Sequence, residues 1–180
     1  MDVLKIVKNF DVIIWDFDGT LVELEVNWDN LKKELLNVAT KVGYTEKDNT
    51  LNRILYFLID KGFKDKAFTL LRRYENNALY KVNQKIIKVI KKTPDKKHII
   101  ISDNLKKTII KILNQLNITP FFDLIIAKED VTNFKPHPEG LRKILQLYSN
   151  HKILYIGDSW KDKEIAHECK VKFLEVERME

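Results

Sequence analysis

The sequence predicts an α/β fold: a doubly wound parallel sheet, interrupted directly after its first strand by an all-helical insertion. Three observations carry that prediction. Apolar runs of strand length end in polar turns; the later runs alternate with stretches of helical periodicity; and about seventy residues after the first run keep a helical period throughout. Strands hydrophobic on both sides belong inside a sheet that helices cover on both faces.

The first strand lies in Asp11-Val-Ile-Ile-Trp-Asp16-Phe-Asp18-Gly19-Thr20-Leu-Val22, where β-branched and aromatic residues run into two carboxylates and a glycine turn. Past Val22 the period becomes helical. Trp28, Leu31, Leu35 and Val38 mark one helix before Gly43, and Leu51, Ile54, Leu55, Leu58 and Ile59 mark a second before Gly62. Ala67, Phe68, Leu71, Tyr74, Ala78 and Leu79 mark a third, and residues 82–92 a fourth, ended by Pro94. Four helices without a strand predict a small bundle.

Strands then return at His98–Ile101, Asp123–Ala127, Lys152–Ile156 and near Lys172–Val176, with helices between them, one opened by Pro138 and Glu139. The expected domains are therefore a core of residues 1–22 and 94–180 with an inserted helical block of residues 23–93.

Composition narrows the function classes. A chain of 180 residues, 44% apolar and 32% charged, is built like a globular protein with one good core. A single cysteine, Cys169, excludes an internal disulfide and a thiolate zinc cluster, and suits a reducing compartment. The histidines at 98, 137, 151 and 167 lack metal-ligand spacing and read as structural or surface residues. Met1 to Phe10 is too short an apolar run for a signal peptide, and nowhere do about eighteen apolar residues follow one another. A cytoplasmic protein without a membrane span is expected. The net charge of +6 is mostly lysine, but Lys81, Lys85, Lys88 and Lys92 oppose Ile86, Ile87 and Ile90 at helical spacing. That is a solvated helix face without interleaved aromatics, so nucleic-acid binding is not expected.

Polar residues gather where the strands end: Asp16, Asp18 and Thr20; Ser102, Asp103 and Asn104; Lys135 in Phe-Lys-Pro-His-Pro; and Asp158 with Asp162 in Gly-Asp-Ser-Trp-Lys-Asp. In a parallel sheet those ends share one edge, so residues distant in sequence meet in one crevice. Asp16 and Asp18, two apart on a strand, aim to one side and would repel unless a cation or a shared proton relieved them. Asp-Gly is also an ordinary turn dipeptide, so this segment alone leaves both readings open. Taken together, Asp16, Asp18 and Asp158 supply hard oxygen ligands suited to Mg²⁺, Ser102 a hydroxyl, and Lys135 a positive charge for a phosphoryl oxygen.

These motifs resemble those of the haloacid dehalogenase superfamily of phosphohydrolases, with its Rossmann-like core, and the layout resembles the phosphoglycolate phosphatase-like branch with a helical cap. Asp16-Phe-Asp18-Gly-Thr20-Leu is similar to the first family motif, Ile-Ile-Ser102-Asp-Asn to the second, Lys135-Pro-His-Pro to the third and Gly157-Asp158-Ser-Trp-Lys-Asp162 to the fourth, in the family's order. The resemblance implies a Mg²⁺-dependent phosphatase acting on small phosphomonoesters through an aspartyl-phosphate. Asp16 would be the nucleophile and Asp18 the acid and base, with its main-chain carbonyl on the metal. Asp158 would ligate Mg²⁺, and Asp162 would support it directly or through water. Ser102, Asp103, Asn104 and Lys135 would hold the phosphate, and Thr20 would either cap its turn or orient Asp18. Dehalogenases of the superfamily lack an acid at the Asp18 position, which favours phosphatase chemistry. Trp160 is expected to pack. The chain departs from the family at Cys169-Lys170, where a small residue and glycine are usual. The implied partner is a small phosphorylated substrate, and the expected assembly a monomer or small homo-oligomer. The competing readings are a sugar-phosphate phosphomutase and a non-catalytic scaffold that binds proteins through its cap.

Overall fold

A computed structural model describes residues 2–178. In chain order the elements are α1 (Val3–Val7), β1 (Val12–Trp15), β2 (Val22–Leu24), α2 (Trp28–Lys41), α3 (Leu51–Asp60), α4 (Lys64–Asn76), β3 (Tyr80–Val82), α5 (Gln84–Lys91), β4 (Lys97–Ile101), α6 (Lys106–Gln115), β5 (Phe122–Ile126), α7 (Glu139–Leu147), β6 (Ile153–Gly157), α8 (Trp160–Glu168) and β7 (Lys172–Glu175).

Five strands form a sheet ordered β5-β4-β1-β6-β7, with every neighbouring pair parallel. The chain builds outward from β1 to one side through β4 and β5, then crosses to the other through β6 and β7. Strand order therefore reverses at β1, and the carboxyl ends beside it are where an open α/β sheet forms its crevice. All four residues of β1 are fully buried. Val12 and Ile14 pack with Ile99, Ile101, Leu141, Ile144 and Ile165 on the face covered by α7 and α8. Ile13 and Trp15 project to the opposite face by strand alternation. Each such burial contributes on the order of 2 kcal/mol. Trp15 donates its indole N–H to His98 Nδ1 at 3.0 Å. His98 Nε2 therefore keeps its hydrogen and donates it to the Thr93 carbonyl at 2.8 Å, making His98 a buried structural residue.

The chain divides into two compact units, one running to Leu24 and resuming at Tyr80, the other spanning Glu25–Leu79. The expected helical block of residues 23–93 differs from this at both ends. Residues 22–24 and 80–82 are strands that pair antiparallel, Val22 with Val82 and Leu24 with Tyr80. Three-residue strands carry too little alternation to register as a period, which is why the segment reads as four helices without a strand. Asn83 anchors the chain after β3 within the first unit: its N–H donates to the Leu21 carbonyl at 2.9 Å and its side-chain amide to the Thr20 carbonyl at 3.1 Å. The next helix, α5, packs against α1 and buries Ile86, Ile87, Val89 and Ile90, while Lys85 and Lys88 stay exposed as their spacing predicts.

The second unit is α2, α3 and α4 packed against one another through Leu31, Leu35, Ile54, Leu55, Leu58, Phe68 and Leu71. Arg73 and Tyr74 both engage Glu34 across α2 and α4. Among the described residues no helix is long and apolar enough to cross a membrane.

Candidate active site

The ladder of β1 continues one residue beyond the strand, where Asp16 N–H donates to the Ile156 carbonyl at 2.9 Å. The chain then turns sharply, with the N–H groups of Leu21 and Val22 donating to the Phe17 carbonyl. Gly19 makes the turn at φ +93°, where a side chain is strained. A Cβ on Gly19 would also lie 2.4 Å from Asp158 Oδ2, so the bare glycine is what lets the Asp158 carboxylate lie against the turn. Asp18 folds back, its Oδ1 accepting from the Leu24 N–H at 2.8 Å.

Around this turn the expected residues converge. Lys135 Nζ donates to Asp16 Oδ1 at 2.8 Å and to Asp162 Oδ1 at 2.6 Å, although the three lie on separate segments of the first unit. Carboxylate oxygens of Asp16, Asp158 and Asp162 lie within 4.8 Å of one another. Asp16 and Lys135 are only 6% and 7% exposed. Asp18 is not among these clustered carboxylates; one of its oxygens, Oδ1, accepts from the Leu24 N–H. Three convergent carboxylates beside one lysine have the hard oxygen donors a divalent cation takes.

Asp162 is held from all sides. Its Oδ1 also accepts from the Tyr155 hydroxyl at 2.7 Å, and its Oδ2 accepts from the Ser159 hydroxyl and N–H, completing a capping box at the start of α8. Gly157 makes room for it, since a Cβ there would lie 2.7 Å from the Asp162 Cβ. Asp158 accepts from Thr20 Oγ1 at 3.3 Å on Oδ1 and from the Arg178 guanidinium on Oδ2. Thr20 therefore orients Asp158, where Asp18 was the expected target.

The electrostatics follow from burial and these contacts. Burial, then the neighbouring Asp162 charge, pushes the Asp16 carboxyl upward against the opposing pull of Lys135. Burial raises Asp18 to about 7 despite the Leu24 hydrogen bond. For Lys135 burial acts downward, but Asp16 and Asp162 outweigh it and hold the ammonium well above its ordinary value. Asp162 is lowered, because Lys135 and its hydrogen bonds to Lys135, Ser159 and Tyr155 outweigh burial.

The second-motif turn carries its expected residues with their own partners. Ser102 Oγ donates to Asn104 Oδ1 at 2.8 Å and accepts from the Asn104 N–H at 3.1 Å, and Leu105 stands at the N-terminal cap of α6. The Asp103 carboxylate takes one main-chain and one ammonium donor: Oδ1 accepts from the Lys135 main-chain N–H at 3.2 Å, and Oδ2 from Lys161 Nζ at 3.3 Å. Trp160, expected to pack, is 64% exposed. At the family departure, Lys170 itself adopts φ +56° and the turn closes by hydrogen bonds from Lys170 N–H to His167 and from Val171 N–H to Ala166.

Two contributors escaped the sequence reading. Tyr155 looked like any other residue of a buried strand. Arg178 follows β7 with no motif around it. The Ser159-x-x-Asp162 capping pattern was legible and would have assigned Ser159 its partner.

Comparisons with known proteins place this geometry in a family. The chain is 28% identical over 169 residues to a phosphoglycolate phosphatase of Aquifex aeolicus, covering 85% of this chain and 78% of that one. It is 23% identical over 175 residues to pyrophosphatase PpaX of Bacillus pumilus, covering 86% and 77%. The crystal structure of CbbY from Rhodobacter sphaeroides in complex with phosphate has the same fold, with a TM-score of 0.67 at 14% identity over 94% of this chain and 87% of that one. The family profile for haloacid dehalogenase-like hydrolase matches residues 13–176, which is nearly the whole chain, and the chain belongs to that family.

Proposed function

We propose that the protein is a Mg²⁺-dependent phosphatase that hydrolyses small phosphomonoesters through a phosphorylated Asp16. The observation that carries this reading is the meeting of Asp16, Lys135, Asp158 and Asp162 within hydrogen-bonding and ligating distance at the ends of β1 and β6.

Asp16 and Asp158 would hold the divalent ion together with the Asp18 main-chain carbonyl. Each Asp162 oxygen already accepts two donors, which favours support of the ion through water. The bound ion would supply positive charge to the phosphoryl oxygens. Lys135 reduces the repulsion between the Asp16 carboxylate and a phosphate dianion, and Ser102 and Asn104 orient the phosphoryl group. An Asp16 oxygen attacks phosphorus as the bond to the leaving oxygen breaks, and Asp18 delivers its proton to that oxygen. Asp18 then takes a proton from water, whose oxygen attacks phosphorus and releases inorganic phosphate and free Asp16. A carboxyl near 7 is matched to both transfers at neutral pH.

The insertion of the helical unit directly after the nucleophile's strand supports a cap role in choosing the leaving group. A small phosphorylated substrate is the proposed partner. The names of the relatives put phosphoglycolate and pyrophosphate first in a substrate panel, followed by sugar phosphates. The lone Cys169 fits a cytoplasmic setting.

Phosphate release across this panel, with and without Mg²⁺, tests the proposal alongside Asp16→Asn. The wild-type chain should turn over in Mg²⁺ and lose turnover on chelation, and Asp16→Asn should lose at least about a thousandfold. Undiminished magnesium-dependent release by Asp16→Asn would remove Asp16 as the nucleophile.

A further inference from the structure

Asp103 sits between two residues suited to bind phosphate, yet it is an anion and would repel one. Its carboxylate is committed elsewhere. Oδ1 receives the Lys135 main-chain N–H at 3.2 Å and lies 3.9 Å from Lys128 Nζ, and Oδ2 receives Lys161 Nζ at 3.3 Å. One side chain thus ties together the turn after β4, the loop after β5, the Lys135 segment and the first turn of α8.

The two lysines differ in freedom. Lys128 is buried, its ammonium 4.1 Å from the centre of the Phe134 ring, and its N–H donates to the Asn104 carbonyl at 3.1 Å. Lys161 has a side chain 32% exposed, immediately precedes Asp162, and reaches the phosphate-binding turn from the opposite side of the crevice. Burial opposes ionisation of Asp103, but Lys128, Lys161 and Lys135 outweigh it and leave the carboxyl below its ordinary value, so the anion is present at neutral pH.

We propose that Asp103 is a positioning residue that fixes the Lys135 main chain and masks the charges of Lys161 and Lys128, setting how tightly the crevice holds phosphate. It rests on the phosphatase reading above and deepens it. An unmasked pair of ammonium groups beside Lys135 would retain the inorganic phosphate product. Paired to Asp103, they shape the site while contributing little net charge to it.

The test is the affinity for inorganic phosphate, measured by calorimetry on the Mg²⁺-loaded enzyme, with kcat and KM measured in parallel. Asp103→Asn keeps an oxygen for the Lys135 N–H and removes the counter-charge. Phosphate should bind about three- to tenfold tighter, the scale of one partly exposed ion pair. The gain should shrink at high salt, and KM and kcat should fall together as product release slows. Adding Lys161→Met to Asp103→Asn should return phosphate affinity toward the wild-type value. Phosphate binding that is unchanged or weaker in Asp103→Asn would overturn the inference and leave the phosphatase reading intact. A wild-type chain that releases no phosphate from the substrate panel in Mg²⁺ would overturn the phosphatase reading and, with it, the inference.

Discussion

Replacing Asp18 with Asn should make the metal-free protein more stable at alkaline pH while impairing catalysis. The Asp18 carboxyl moves from 3.8 to about 7 because burial disfavours its charge, and the Leu24 N–H only partly offsets this. A folded pKa above the unfolded one means that the native state binds the proton more tightly. This stabilising contribution is fully present below about pH 4 and is lost as pH rises through 7. A shift of about three units at 1.36 kcal/mol each corresponds to about 4 kcal/mol above pH 7. Asn is close to isosteric, neutral, and still offers an oxygen to the Leu24 N–H at 2.8 Å. That bond weakens when its acceptor loses charge, so a net gain of roughly 2–3 kcal/mol is expected. For a chain of this size the gain appears as a rise in Tm of roughly 4–12 °C at pH 8.5. Thermal unfolding followed by circular dichroism in EDTA, from pH 3.5 to 8.5, is the assay, with turnover measured in Mg²⁺ on the same samples. The gap between variant and wild type should open between pH 4 and 7 and close below it, and turnover should fall about a hundredfold or more. A variant less stable than wild type at pH 8.5, or a gap that ignores pH, would refute the reasoning.

Two further substitutions probe the frame of the site. Gly19→Ala places a methyl group 2.4 Å from Asp158 Oδ2 on a backbone at φ +93°, and should cost about 2–4 kcal/mol in urea unfolding while suppressing phosphate release. Tyr155→Phe keeps the ring beneath Lys135 and removes the hydroxyl that donates to Asp162 at 2.7 Å. Its urea midpoint should correspond to a loss of about 1–2 kcal/mol, since Asp162 retains Lys135 and Ser159 as partners.

The five strands of the sheet and the helices between them were legible because each buries a face, and burial writes a period into the sequence. The candidate residues were legible for a related reason. In a parallel sheet every strand of the core delivers its polar successors to one edge, so Asp16, Ser102 and Asp158 announce themselves by following apolar runs. The antiparallel pairing of β2 with β3 was not legible. Its strands are three residues long, and they join segments some sixty residues apart in sequence, flanked by the bonds of Asn83 to Leu21 and Thr20. That α5 belongs to the first unit leaves no mark on the helical period itself.

By itself the amino-acid order determined the class of fold, the direction of the strands and which side chains could serve a phosphoryl group, because hydrophobic periodicity and turn chemistry are local properties. Tertiary structure alone decided the pairings: Thr20 and Arg178 on Asp158, Tyr155 on Asp162, and the three lysine segments on Asp103. A hydrogen bond or ion pair selects its partner by distance and direction in space, and neighbouring residues along the chain carry no record of that choice.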